Sequence, residues 1–175
     1  NIAAHYDLSN DFIKLFLAYS MLYSSAVFKE PGMSLEQASD YKKELICQKL
    51  QLKPMDHLVE IGSGWGGFAI YAALHYGCKV TTITISQAQY DEAVARIEAT
   101  GLSHRVDVQL KDYRLLEGKY DKLVSIEMIE AVGEQYLPIY FNKCRELLKS
   151  NGLALIHAIT IEDARYAKAL NTVDY

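Results

Sequence analysis

The chain has 175 residues, of which 50% are apolar, and it carries 18 Lys and Arg residues against 22 Asp and Glu residues. This length suits one ordinary domain with a buried core, and the net charge of −4 argues against a protein that binds nucleic acid by neutralising phosphates over its whole surface. No apolar run approaches the roughly 18 residues of a membrane-spanning helix.

Helix and strand patterns alternate along most of the chain. Because Pro31-Gly32 is the strongest break before the glycine cluster, we separate an N-terminal segment, residues 1–33, from a main unit, residues 34–175. Capping and periodicity predict the following elements in chain order: helix 34–50, strand 57–61, helix 66–76, strand 79–85, helix 86–101, strand 105–110, strand 122–126, helix 134–148 and strand 153–159.

This alternation predicts an α/β fold with a mostly parallel sheet and right-handed crossovers. In such sheets ligands bind beyond the carboxyl ends of the strands, close to the point where the strand order reverses. We therefore expect the functional side chains to follow directly after the predicted strands.

A glycine-rich loop follows the first predicted strand and precedes a helix. Gly62, Gly64 and Gly67 satisfy the GxGxxG pattern of dinucleotide-binding proteins. Glu60 together with Gly62, Gly64 and Gly66 also satisfies the E/D-x-G-x-G-x-G pattern of S-adenosylmethionine-dependent methyltransferases. Both patterns use glycines to let the backbone approach a ligand closely.

The second predicted strand favours S-adenosylmethionine. A dinucleotide site expects an acidic residue about 20 residues after the loop, to bind the ribose. The strand ends instead in Thr84-Ile85-Ser86, and the next acids, Asp91 and Glu92, lie within a helix. An NAD site and a purely structural turn remain as alternatives.

Two further positions suit a nucleoside. Gln89 lies one turn into the helix after the second strand, within reach of ribose hydroxyls. Asp112-Tyr113 follows the third strand and offers a hydrogen-bond acceptor and a stacking face for adenine. Each of these residue types is also common in ordinary surface or core packing.

Several longer segments carry a resemblance to a known family. The chain resembles the cyclopropane-fatty-acyl-phospholipid synthases, which include the mycolic acid cyclopropane synthases. The matching segments are residues 5–12 (HYDLSNDF), 22–28 (LYSSAVF), 60–68 (EIGSGWGGF), 84–86 (TIS), 112–114 (DYR), 125–133 (SIEMIEAVG) and 157–159 (HAI).

The resemblance implies a Rossmann-like methyltransferase core over residues 34–175 with an N-terminal helical cap over residues 1–33. It also implies further strands and a catalytic tyrosine beyond Tyr175, so we expect the chain to be part of a longer protein. The implied activity transfers a methylene from S-adenosylmethionine to a cis double bond of a phospholipid acyl chain, with bicarbonate in the active site.

The resemblance also assigns site residues, and it implies no metal. The predicted catalytic residues, which would hold bicarbonate, are Glu130, His157 and Ser25. The predicted cofactor-binding residues are Tyr6, Tyr23, Ser24, Glu60, Gly62, Gly64, Gly66, Thr84, Ile85, Gln89, Asp112, Tyr113, Arg114 and Ile126.

The implied chemistry makes specific demands on these residues. An alkene is a weak nucleophile, so the methyl donor must be strongly electrophilic and well aligned. The resulting carbocation requires a dry pocket and then a base. We expect the apolar neighbours of Glu130 to disfavour its ionised form. The alternatives are that Glu130 is a first-turn helix acid and that His157 is a core histidine.

One residue departs from the family pattern, because many members have Cys where this chain has Ser25. This departure suggests one of three alternatives to a cyclopropane synthase that stay open, the binding protein without catalysis. The three are a related S-adenosylmethionine methyltransferase acting on a small-molecule amine or carbon, a binding protein that has lost catalysis, and an NAD-dependent reductase.

The cysteines and the N-terminal segment bear on location. Cys47, Cys78 and Cys144 are widely spaced and form no CxxC or zinc pattern, which favours a reducing, cytoplasmic compartment. The apolar residues of segment 1–33 are compatible with a lid over a lipid pocket, with peripheral contact to a membrane, or with packing on the protein's own core.

Overall fold

The computed structural model describes Leu17 and residues 21–169. Three one-turn 3-10 helices lie at Tyr113–Leu115, Ile129–Ala131 and Glu134–Tyr136. The strands and α-helices in chain order are α1 (Leu35–Leu50), β1 (His57–Ile61), α2 (Gly67–Tyr76), β2 (Lys79–Thr84), α3 (Gln87–Ala99), β3 (Val106–Leu110), β4 (Tyr120–Ile126), α4 (Leu137–Leu147), β5 (Leu148–His157) and α5 (Asp163–Ala169).

The five described strands form one parallel sheet with the order β3-β2-β1-β4-β5. The chain builds outwards from β1 through β2 to β3, and then returns to the other side of β1 with β4. The strand order therefore reverses between β1 and β4, which is where ligands bind in sheets of this type. This arrangement confirms the predicted parallel α/β architecture.

The helices begin and end where local chemistry satisfies their exposed backbone groups. Ser34 and Gln37 form a capping box at the start of α1, and the Ser86 hydroxyl accepts a hydrogen bond from the Gln89 amide at the start of α3. Gly77, at φ +68°, ends α2 in the left-handed conformation that glycine adopts without strain.

The core lies on both faces of the sheet, because successive strand residues point in opposite directions. Leu58 of β1 joins a cluster with buried residues of α1 and α2, such as Phe68. Its neighbour Val59 joins a second cluster with Tyr140 and Leu147 of α4. The sheet is thus covered by helices on both sides, and its strand ends are held rigidly in place.

The largest difference from the predicted elements is at β5. We expected a helix to 148 and a strand from 153, but α4 ends at Leu147 and β5 already begins at Leu148. The pairing passes from Tyr120↔Leu148 to Lys122↔Leu153, so the residues between Leu148 and Leu153 form an irregularity within the strand. Asn151-Gly152, which lies between the predicted helix and the predicted strand, is inside this irregularity.

The N-terminal segment is described only in part. Residues 21–33 contain a turn, bends and irregular backbone and no regular helix. The predicted helical cap otherwise lies outside the described residues, and the boundary at residue 33 stays a prediction. Among residues 17 and 21–169, no helix is both long and apolar enough to cross a membrane.

Candidate active site at the carboxyl edge of the sheet

The glycine loop leaves β1 and turns tightly across the end of β2. The amides of Gly62 and Ser63 both donate to the Ile83 carbonyl, at 3.1 and 2.8 Å. Gly62 has φ +96°, and a Cβ there would lie 3.3 Å from the Cγ of Met128. Gly64 has φ +48° and open space where a side chain would be. The loop therefore presents bare backbone to the cleft, as a ligand cradle requires.

Two adjoining cavities of about 290 and 270 Å³ lie along this edge. Both are lined by Gly62, Gln89, Met128 and Ala131. Of the predicted cofactor residues, the first cavity is also lined by Thr84, Ile85, Asp112, Tyr113 and Arg114. The second is also lined by Tyr23, Ser24, Glu60, Gly64, Ile126 and the predicted catalytic Glu130.

Polar groups of the first cavity hold one another in position. The Thr84 hydroxyl donates to Gln89 Oε1 at 2.8 Å and accepts from the Ser86 amide at 3.1 Å. Asp112 accepts two hydrogen bonds from the Arg114 guanidinium, at 2.9 and 2.5 Å, which lowers the pKa of the Asp112 carboxyl. These contacts fix the residues that we predicted to lie near ribose and adenine.

Tyr113 is supported from the core side of the first cavity. Its ring meets the ring of Tyr140 edge to face, with centroids 5.6 Å apart. Tyr140 itself is fully buried in the second core cluster. The position of Tyr113 at the cleft is therefore fixed by the packing of α4 against the sheet.

Glu60 is buried beneath the glycine loop, where its carboxyl lines the second cavity. The Thr82 hydroxyl donates to Glu60 Oε2 at 2.6 Å. Burial raises the pKa of the Glu60 carboxyl to about 8, despite this hydrogen bond. The acid of the loop motif is therefore protonated at neutral pH unless a cation lies beside it.

The structure brings together Ser25 and His157, two of the three predicted catalytic residues, but it does so around an unpredicted carboxylate. Glu127 Oε1 accepts from the Ser25 amide and from the Ser25 hydroxyl, each at 3.2 Å. His157 Nδ1 lies 3.4 Å from the same oxygen, without the alignment of a hydrogen bond. The Glu127 backbone amide donates to the His157 carbonyl at 2.8 Å.

Lys42 is the second unpredicted residue, and it is buried under the N-terminal segment. Its ammonium group donates to the Ser24 hydroxyl and, at 2.7 Å, to the Ser25 carbonyl. Burial lowers the pKa of Lys42 to about 8, although the negative charge of Glu127 opposes that shift. Burial also lowers the pKa of His157, with Lys42 adding to the effect.

Glu130 differs from the expectation. We expected an apolar environment, but Glu130 is exposed and lies within the 3-10 turn at Ile129–Ala131. Glu130 Oε1 accepts from the Ile159 amide at 2.6 Å, which ties the turn after β4 to the chain after β5. Glu130 still lines the second cavity, so its predicted role remains open.

Four of the predicted cofactor residues have different surroundings. Tyr6 lies outside the described residues. Gly66 lines neither cavity, and a Cβ there would lie 3.3 Å from the Cβ of Ala93 in α3, which indicates a packing role. Ile126 ends β4 beside His157 of β5. Ile85 lines the first cavity with half of its surface exposed.

Lys42 and Glu127 had only weak sequence signals. Lys42 lies within a regular helical pattern, where a lysine is normally on the solvated face. Glu127 is the first residue after β4, a position from which we expected functional side chains, but we assigned the nearby Glu130 instead. Its φ of +48°, which is unusual for glutamate, is visible only in the structure.

Comparison with known proteins agrees with this geometry. The family model described as mycolic acid cyclopropane synthetase matches residues 1–174. A probable fatty acid methyltransferase of Pseudomonas putida is 43% identical over 161 residues, which are 91% of this chain and 41% of that protein. The cyclopropane-fatty-acyl-phospholipid synthase of Escherichia coli strain K12 is 42% identical over 155 residues, which are 89% of this chain and 39% of that protein.

A solved structure of the same family has a similar fold. The crystal structure of the mycolic acid cyclopropane synthase CmaA1, complexed with SAH and CTAB, superimposes with a TM-score of 0.85 at 31% identity. The match covers 89% of this chain and 54% of that one. The chain thus spans about two fifths of the length of the two curated relatives. It has the α/β fold of S-adenosylmethionine-dependent methyltransferases, and it belongs to the mycolic acid cyclopropane synthetase family.

Proposed function

We propose that the whole protein transfers a one-carbon unit from S-adenosylmethionine to a double bond in a lipid acyl chain. The observation that carries this proposal is the pair of adjoining cavities at the switch point of the sheet, which share Gly62 and Gln89. Together they suit an extended ligand with a nucleoside at one end and an amino acid at the other.

The residues of the cleft fit such a cofactor. Thr84 and Gln89 would hold the ribose, and Tyr113 with Arg114 would hold the adenine. Gly62 and Gly64 leave room for the methionine part, because neither has a side chain and both have a positive φ that favours glycine. When bound, the cofactor supplies an electrophilic methyl group on a positively charged sulfur.

The protein's own part is to align the alkene and to exclude water. Tyr23 lies near the second cavity, with its ring centroid 6.2 Å from that of the buried Trp65. An aromatic face there would stabilise a developing carbocation by about 0.5–2 kcal/mol. We include in this proposal an acyl-chain substrate, peripheral contact with a membrane and a cytoplasmic location.

A second candidate is methylation of the acyl chain without ring closure. It is favoured by the name of the 43% identical Pseudomonas putida relative, a probable fatty acid methyltransferase. Both candidates share the methyl transfer and differ in which proton the carbocation loses.

Bicarbonate, which the resemblance implied, does not fit the residues present. Two of its predicted ligands, Ser25 and His157, already surround Glu127 Oε1. An anion placed between them would lie beside this carboxylate, and two like charges about 4 Å apart repel by roughly 4 kcal/mol at an effective dielectric constant of 20.

The test is lipid analysis of cells that express the full-length protein and otherwise lack modified acyl chains. We expect acyl chains that are heavier by one carbon, and mass spectrometry with fragmentation separates cyclopropane from methyl-branched products. A cofactor-site variant, Gly62→Val, is the control and should abolish the product. Unmodified lipids, together with methylation of a library of small amines, would contradict the proposal.

A further inference from the structure

We propose that Glu127 is the carboxylate that accepts the proton in the reaction, in the position that the resemblance assigned to bicarbonate. This inference rests on the proposed transfer to a double bond. Glu127 is the first residue after β4, and it lines the same cavity as Gly62 and Gly64 of the glycine loop. Its side chain is 15% exposed, so it lines this cavity from a mostly buried position.

The contacts of Glu127 are those of an anion in a prepared site. The Ser25 amide and hydroxyl, each 3.2 Å from Oε1, are two donors from a segment 102 residues away in the chain. His157 Nδ1 at 3.4 Å completes one side of the same oxygen. The two hydrogen bonds from Ser25 fix the orientation of the carboxylate, and His157 Nδ1 lies beside it without a hydrogen bond.

The backbone at Glu127 is held in a costly conformation. Its φ of +48° lies in the left-handed region, which costs a residue with a Cβ about 1–2 kcal/mol. Its amide donates to the His157 carbonyl at 2.8 Å, so the pairing of β4 with β5 continues through it. Strain at the end of a strand beside a ligand cavity is typical of a functional residue.

The charges around Glu127 favour its own carboxylate over an additional bound anion. Lys42, held by the Ser24 hydroxyl and the Ser25 carbonyl, is the cation whose pKa responds to Glu127. The Glu130 carboxylate lines the same cavity and takes the Ile159 amide. A further anion would face two carboxylates with one lysine, and mutual repulsion would oppose it.

The second oxygen of Glu127 is available for the reaction. All three side-chain contacts are with Oε1, and the described part of the chain supplies no hydrogen-bond donor to Oε2. Ser25 therefore acts as a positioning residue, because its two hydrogen bonds hold Oε1 and leave Oε2 for the cleft.

The alkene π electrons form the new carbon–carbon bond to the methyl group, and the electrons of the sulfur–methyl bond return to sulfur. The lipid is then a carbocation. Glu127 Oε2 takes one proton from it, and the electrons of that C–H bond close the ring, or form a double bond where an adjacent carbon loses the proton. Glu127 then passes the proton to solvent.

The test compares three forms of the full-length protein in buffer stripped of carbon dioxide. Wild-type turnover should be unchanged when bicarbonate is added back. Glu127→Gln should lower turnover by 100-fold or more, which is the usual scale for loss of a general base. Calorimetric affinity for S-adenosylhomocysteine should stay within about threefold of wild type in each variant, which shows that the fold and the cofactor site persist.

Glu127→Gly distinguishes proton transfer from a structural role. It relieves the φ strain and opens the space of the carboxylate, so added formate or bicarbonate should restore turnover at least tenfold. In Glu127→Gln the amide fills that space, and no rescue is expected. Rescue by a small carboxylate would not occur if Glu127 served only to bind Ser25 to the sheet.

The inference is overturned if wild type requires bicarbonate, if Glu127→Gln retains more than a tenth of the activity, or if Glu127→Gly binds S-adenosylhomocysteine normally but is not rescued. Failure of the proposed function has a different signature, because wild type would then bind the cofactor or not but would modify no lipid under any buffer condition.

Discussion

Glu60 shows how strongly burial controls a single residue of the cleft. Its carboxyl is 2% exposed, receives one hydrogen bond from Thr82 and has a pKa raised to about 8. The unfolded chain would ionise near the ordinary value of 4.5. Between these two pH values the folded protein binds one more proton than the unfolded chain.

This difference predicts a pH-dependent stability. The contribution of Glu60 is complete below pH 4.5 and is lost as the pH rises towards 8, by up to about 4 kcal/mol between pH 5 and pH 8. Glu60→Gln keeps an acceptor for Thr82 but cannot ionise, so the variant should lose less stability over this range. Urea denaturation of both proteins at pH 5 and pH 8 measures the difference. Parallel stability curves for the two proteins would refute it.

At the scale of single elements, α3 packs closely against the start of α2. Gly66 precedes α2 at φ +81°, and a Cβ on it would lie 3.3 Å from Ala93 Cβ and 3.5 Å from Ala93 Cα. The backbone of Ala93 cannot swing aside as a flexible side chain could. The close approach of the two elements therefore depends on the absence of a side chain at this glycine.

We predict that Gly66→Ala lowers the free energy of unfolding by about 2–3 kcal/mol, through φ strain and the contact with Ala93. Gly64→Ala is the matched control. It has the same sign of φ, +48°, but open space around the added Cβ, so about 1 kcal/mol is expected. Thermal or urea unfolding measures both variants. Equal losses would show that the contact with α3 carries no cost.

At the scale of the whole molecule, the last described strand of the sheet is incompletely covered. β5 pairs with β4 and with no other strand of the described residues. Leu153 on this strand is 39% exposed, and Ile159 and Ile161, which follow it, are at least half exposed. An edge strand with exposed apolar residues is a template for association with another chain.

A polypeptide of these 175 residues should therefore self-associate in a concentration-dependent way. Leu153→Lys, which adds a charge to the edge strand, should shift the species towards monomer in analytical ultracentrifugation. Leu74→Lys on α2, where Leu74 is 59% exposed, is the control and should leave association unchanged. An equal effect of both substitutions would indicate non-specific aggregation instead.

The sequence by itself determined the parallel α/β fold, the position of the glycine loop and the family. These features depend on local patterns: the alternation of helices and strands, the spacing of Gly62, Gly64 and Gly66, and segments such as residues 125–133. Ser25 and His157 were also named from sequence, because each lies in a segment that resembles the family.

Only the tertiary structure decided what surrounds those two residues. Glu127 meets Ser25 because the N-terminal segment crosses the end of β4, and it lies beside His157 because β4 pairs with β5. Lys42 reaches the same site from α1, whose sequence pattern is that of an ordinary surface helix. Contacts between residues more than 100 positions apart depend on the packing of whole elements, and no local sequence pattern encodes them.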